Sequence, residues 1–222
     1  GRGECFPYAH YGETADAVRE LAASQATAIA DGMGRTELTR ALPPGAARNA
    51  LDCALWDLEA KQADRPVWEL AGLSRPEAVV TVFTLSLDTP DKMHQAAKNN
   101  ADKPMLKLKL GGPEDLERVA AVRDGAPAAR IVVDANEGWT RDSYERLVPQ
   151  LNALGVVMIE QPFPAAQDDV LNALERPIPV CADESCHDRG SLAAVRGKYD
   201  MVNIKLDKTG GLTEALALKQ AA

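Results

Sequence analysis

From Val79 onward the chain alternates short β-forming runs with helical runs at a spacing of about 25 residues, a regularity that restricts the fold more than any other feature of the sequence. The strand-like runs are Val79–Leu85, Met105–Leu110, Arg130–Asp134, Val156–Glu160, Pro179–Ala182 and Met201–Lys205. Helical runs fall between them near Pro90–Ala101, Pro113–Gly125, Thr140–Leu154, Asp168–Leu174 and Arg189–Val195, and a further one begins near Leu212. Thr89-Pro90 reads as an N-cap followed by Pro in the first helical turn. Such alternation predicts right-handed βαβ units and a parallel sheet, either doubly wound or rolled into a (β/α)8-type barrel.

The polar residues favour the barrel. The runs from the second to the sixth close on Lys107-Leu108-Lys109, Asp134-Ala135-Asn136, Glu160-Gln161-Pro162, Asp183-Glu184-Ser185 and Asn203-Ile204-Lys205. In a barrel the C-terminal edge of every strand faces the active site, whereas a doubly wound sheet uses only the strands beside its switch point. Lys107 and Lys109 are two residues apart and share one face, while Leu106, Leu108 and Leu110 take the other. A parallel barrel strand is buried on both faces, so the two ammonium groups point into the barrel mouth and require anions there.

Asp134, Glu160 and Asp183, on three consecutive strands, supply those anions. Three carboxylates without a His or Cys ligand suit a hard divalent cation such as Mg2+. Each acid alone also reads as a cap for the following helix; together with the lysines they read as a metal site. Lys205 ends the sixth strand and Lys109 the second, which lie opposite one another in an eight-stranded barrel. One amine on each side of a substrate is an arrangement for taking a proton from one face of a carbon and returning it to the other. A metal bound there would stabilise the enediolate of a substrate carboxylate while a lysine acts as base.

Residues 1 to about 75 read differently. Thr14 caps a helix running toward Asp31, ended by Gly32 and Gly34. A second helix begins near Pro44 and places Ala47, Ala50, Leu51, Ala54, Leu55 and Leu58 on one face. Pro66 and Gly72 bracket a short third piece. The chain opens on a strand-like Gly1-Arg2-Gly3-Glu4-Cys5 without Met and stops at Ala222 inside a helical pattern, so both ends read as cut. Six strands are two short of closing a barrel, which predicts an open sheet with exposed edges. The expected organisation is a helical part over 1–75 and a partial barrel over 76–222.

Lys and Arg number 25 against 33 Asp and Glu, a formal charge of −8 that argues against nucleic-acid or anionic-membrane partners. The four cysteines, Cys5, Cys53, Cys181 and Cys186, show no C-x-x-C spacing and read as reduced thiols of a cytoplasmic protein. His10, His94 and His187 are too scattered for a zinc site.

In these elements the sequence resembles the enolase superfamily, muconate-lactonizing subgroup, over nearly the whole chain. The stretch Arg48–Leu58 is similar to the end of that family's capping domain, and the Lys-x-Lys, Asp-x-Asn, Glu-Gln-Pro, Asp-Glu and Asn-Ile-Lys elements stand in family order. Thr84-Leu85-Ser86 and Lys205–Gly211 look most like dipeptide epimerases of the L-Ala-D/L-Glu type. The resemblance implies a (β/α)8-type barrel preceded by the helical part of an α+β capping domain. It implies Mg2+ on Asp134, Glu160 and Asp183, with Lys109 and Lys205 as acid/base residues and Lys107 polarising the bound carboxylate. Thr84, Asn136 and Glu184 are the expected substrate contacts. The implied partners are a dipeptide or N-acyl amino acid and further copies of the chain in a homo-oligomer. Other reactions of the same site are N-acylamino acid racemisation, o-succinylbenzoate synthesis and muconate cycloisomerisation. A non-catalytic barrel fragment is the alternative of another class.

Overall fold

Four short helices and one of 18 residues, separated by turns rich in Gly and Pro, lead into a parallel sheet. The computed structural model describes all 222 residues. The helices of the first part are α1 (Ala15–Ser24), α2 (Ala26–Ala30), α3 (Arg35–Ala41), α4 (Ala46–Ala63) and α5 (Val67–Leu70). Then follow β1 (Phe83–Leu85), α6 (Pro90–Asn99), β2 (Met105–Lys109), α7 (Asp115–Gly125), β3 (Arg130–Asp134), α8 (Arg141–Ala153) and β4 (Val156–Glu160). The chain continues through β5 (Val180–Ala182), α9 (Leu192–Val195), β6 (Met201–Val202), α10 (Leu206–Thr209) and α11 (Leu212–Ala221). No helix is long and apolar enough to cross a membrane. Residues 1–78, 187–192 and 204–222 form one unit, and residues 79–186 and 193–203 form the other.

In the second unit every neighbouring pair of strands is parallel, in the order β1-β2-β3-β4-β5-β6. An order that never reverses has no switch point, so this is a run of barrel-type βα units. The sheet is open, with β1 and β6 as its edges. Leu106, Leu108, Ile131, Val133, Ile159 and Val180 are fully buried in it. A Leu-to-Ala change at such a position costs about 2–5 kcal/mol.

Four local expectations are corrected. Residues 1–5 form no strand: Gly1 and Gly3 pass so close to α4 that a β-carbon would overlap the carbonyls of Ala54 and Ala50, leaving no room for a pairing strand. The helix expected from Thr14 to Asp31 breaks at Gln25 into α1 and α2, although Thr14 caps it as expected by accepting the Ala17 N–H at 3.2 Å. The first strand contracts to Phe83–Leu85, since Val79 and Val80 have no strand partner. The helix expected near Asp168 is instead a 3-10 helix over Ala165–Ala173.

In the first unit Leu38, Leu42 and Leu55 form a small core with Ile29, Met33 and Leu51 around it. Its other tie is polar. Arg48 on α4, 5% exposed, donates to the carbonyls of Thr39, Leu42, Thr209 and Gly210. Asp52, one turn on, accepts from the N–H and the hydroxyl of Thr213, and Trp56 Nε1 donates to that hydroxyl. Gly210 and Gly211 adopt φ of +71° and +115°, and a β-carbon on either would strike the Arg48 guanidinium or the Asp52 carboxylate. Arg48 and Asp52 on α4 thus account for the paired glycines after Lys205.

Candidate active site

The C-terminal ends of β2, β3 and β4 bring five of the expected side chains into contact, Lys107, Lys109, Asp134, Asn136 and Glu160. The register pairs Lys109 with Asp134 and Asp134 with Glu160, so the three stand level across adjacent strands. Lys107 Nζ donates to Glu160 Oε2 at 2.7 Å and lies 2.9 Å from Asp134 Oδ2. Lys109 Nζ donates to the same Asp134 oxygen at 2.7 Å and to Asn136 Oδ1 at 3.0 Å. The lysine side chains differ in access: 14% of Lys107 is exposed against 36% of Lys109. Burial works against the Lys107 charge, but its hydrogen bonds to Glu160 and Asp134 prevail and hold its pKa above the ordinary lysine value.

Asp183 lies just past β5 and is buried like Asp134 and Glu160. Burial, and then the charge of Asp183, push the neighbouring Glu184 carboxyl above the usual carboxylate range. Thr84 on β1 is exposed and in register with Lys107. Lys205 follows β6 by three residues, is half-buried and belongs to the first unit, where its carbonyl accepts the Thr209 N–H at 3.0 Å.

Three buried carboxylates outnumber the two ammonium groups at these strand ends, and all the acidic donors are hard oxygens. That donor set fits a divalent cation. The acids do not form a ready three-ligand cluster, because Lys107 stands between Asp134 and Glu160.

The structure adds residues that spacing alone did not single out. Asn203, just after β6, donates to Glu160 Oε1 at 3.1 Å. In the sequence it stands within the Asn203-Ile204-Lys205 element, without a role of its own. Asp115, at the start of α7, accepts from the N–H groups of Gly111 and Gly112 and from Trp139 Nε1. It thereby ties the loop after Lys109 to the loop after Asp134.

Comparison with known proteins gives this geometry its context. Residues 1–72 match the mandelate racemase/muconate lactonizing enzyme N-terminal domain, and residues 92–222 match the enolase C-terminal domain-like family. The chain belongs to the mandelate racemase/muconate lactonizing enzyme family of the enolase superfamily. It is 47% identical to an L-Ala-D/L-Glu epimerase of Escherichia coli K12 over 224 residues, covering 100% of this chain and 70% of that protein. It is 44% identical to an N-acetyl-D-glutamate racemase of a Pseudoalteromonas species, covering 100% of this chain and 71% of that protein. An Agrobacterium tumefaciens enolase family member with homology to dipeptide epimerases, solved with sodium and L-Ala-L-Glu, superposes with a TM-score of 0.95 at 47% identity, over 99% of this chain and 68% of that one. A dipeptide epimerase of Enterococcus faecalis V583, solved with Mg and L-Leu-L-Tyr, gives 0.89 at 28% identity, over 99% and 66%. Its similarity to these named epimerases and racemases over its whole length places the chain among isomerases that act on amino acid derivatives.

Proposed function

We propose that the protein epimerises a dipeptide at the carbon next to its free carboxylate, one of Lys109 and Lys205 taking the proton from one face of that carbon and the other giving a proton to the opposite face. The observation that carries this reading is the charge arrangement at the ends of β2 to β4: two lysines from one strand face hold carboxylates of the next two strands. The similarity to the L-Ala-D/L-Glu epimerase over the whole chain supports the substrate class. Asp134, Glu160 and Asp183 would hold Mg2+, which when bound supplies positive charge for the substrate carboxylate as the adjacent carbon loses its proton.

The chain's own residues do the rest. Lys107, fixed between Asp134 and Glu160, adds a second positive charge for the carboxylate. Lys109 is the more exposed of the two β2 lysines and reaches the substrate to take or return a proton. Asn136 accepts from its ammonium and keeps it aimed. Lys205, in the segment that follows β6 rather than at the strand end expected from the sequence, serves the other face. Thr84 and Glu184 contact the remainder of the dipeptide. The protein works in the cytoplasm as a homo-oligomer.

A second reading rests on the racemase relative: an N-acyl amino acid presents the same carboxylate and acidic proton. Incubation with Mg2+ and either L-Ala-L-Glu or N-acetyl-L-glutamate, followed by chiral chromatography, separates the two. Epimerisation of the dipeptide at the higher kcat/KM is the expected result. Faster racemisation of the N-acyl amino acid moves the assignment to the second reading, and turnover of neither removes both.

A further inference from the structure

Immediately after Glu160 stands a side chain that the proposed chemistry does not use. Gln161 is wholly buried and has φ of +34°, a left-handed conformation that residues other than glycine seldom adopt. Its Oε1 accepts the N–H of Asp183 at 2.8 Å and that of Ser185 at 3.1 Å. The two hydrogens on its Nε2 are shared among three acceptors, the Phe163 carbonyl at 2.9 Å, Ser185 Oγ at 2.7 Å and the Tyr199 hydroxyl at 2.9 Å.

A carboxamide turned end for end keeps nearly the same shape, so its partners decide its direction. Here each chain of partners ends in a group with no choice of role. The Ser185 hydroxyl donates to Asp168 Oδ2 at 2.7 Å, and the Tyr199 hydroxyl donates to the same oxygen at 3.0 Å. Asp168 is buried and paired with Lys198, whose Nζ donates to Oδ1 at 2.5 Å. The two hydroxyls also lie 3.0 Å apart, and whichever donates to the other, their protons run toward Asp168, so their oxygens face Gln161 as acceptors; the Phe163 carbonyl is an acceptor as well. The NH2 end of Gln161 is thereby fixed, which directs its oxygen at the backbone of Asp183.

We infer that Gln161 is a positioning residue for the Asp183 carboxylate, its amide oriented by the buried Asp168–Lys198 pair through Ser185 and Tyr199. The inference rests on the assignment of Asp183 as a metal ligand made above. Partners one shell behind a metal ligand typically change metal affinity by about 10–100-fold when removed.

The test is Mg2+ binding by calorimetry on the full-length protein and on its Gln161→Met, Tyr199→Phe and Asp183→Asn variants, with kinetics over a range of Mg2+. Gln161→Met is expected to bind Mg2+ about 10–100-fold more weakly. It should need correspondingly more Mg2+ for half-maximal activity while regaining most of kcat at saturation. Tyr199→Phe leaves Ser185 in place and should weaken binding less, by about threefold to tenfold; it carries the test if Gln161→Met does not fold. If Asp183→Asn loses Mg2+ binding while the folded Gln161 and Tyr199 variants bind as the parent does, with only a lower melting temperature, the positioning role is overturned and the metal assignment stands. If Asp183→Asn binds Mg2+ like the parent, the metal assignment falls and this inference falls with it.

Discussion

The two lysines proposed for proton transfer sit in neighbourhoods built on different principles. Lys109 is placed by a strand register and by opposite charges: β2 pairs residue for residue with β3, and Asp134 is shared between Lys107 and Lys109. The segment after Lys205 has no sheet to hold it. Arg48 and Asp52 grip it through backbone groups and the Thr213 hydroxyl, and Asn49 donates to Asp207 Oδ1 at 2.7 Å. The first neighbourhood can exchange partners when a cation or substrate arrives. The second is a fixed mount, because carbonyls left without Arg48 would be buried and unsatisfied.

Arg48→Ala tests the mount and should have the largest effect. Four carbonyls lose their donor, and the stability loss is expected at about 4 kcal/mol or more, read by urea unfolding. A loss below about 1 kcal/mol would mean that water replaces the guanidinium and that the mount is not rigid. Lys107→Met tests the exchangeable side. Without divalent cation it should cost about 2–4 kcal/mol, since Glu160 loses its only ammonium partner and Asp134 keeps Lys109 alone. Added Mg2+ should restore much of that, whereas Arg48→Ala should gain nothing comparable from the metal. Equal recovery in both variants would erase the contrast between the neighbourhoods.

Gly211→Ala is a smaller perturbation of the mount. Its φ of +115° and the nearness of Asp52 predict a loss of about 1–3 kcal/mol by thermal unfolding.

The parts of this comparison differed in how far the sequence revealed them. Lys107, Lys109 and the burial of Leu106, Leu108 and Leu110 followed from the two-residue period of a strand, which needs no knowledge of partners. Asp134 and Glu160 were legible because each ends a strand in the same register. Asn203, Asp115 and the Gln161 network were not, because their hydrogen bonds join residues tens of positions apart and carry no periodic signal. The path of residues 1–5 differs from the strand-like reading for a related reason: Gly1 and Gly3 are needed for close approach to α4, a contact across about fifty positions. The 3-10 form of Ala165–Ala173 escaped because its apolar spacing also satisfies an α-helix.

A control outside both neighbourhoods has the smallest expected effect. Burial pushes the Tyr144 hydroxyl up to about 12, against an unfolded value near 10. A raised pKa of this kind contributes stability below about pH 10 that is lost as pH rises toward 12. At pH 11 the parent should therefore lose about 1 kcal/mol relative to pH 9 through this group, and Tyr144→Phe should lack that loss. An identical slope in both proteins would assign the alkaline loss to other groups.

The most direct test of the central claim is proton exchange in deuterated water, followed by NMR for each epimer of the dipeptide separately. Lys109→Ala should abolish exchange from the epimer whose hydrogen faces Lys109 and leave slow exchange from the other, and Lys205→Ala should give the mirror result. If either variant slows both epimers equally, the two lysines do not act on opposite faces and the epimerase mechanism proposed here is wrong.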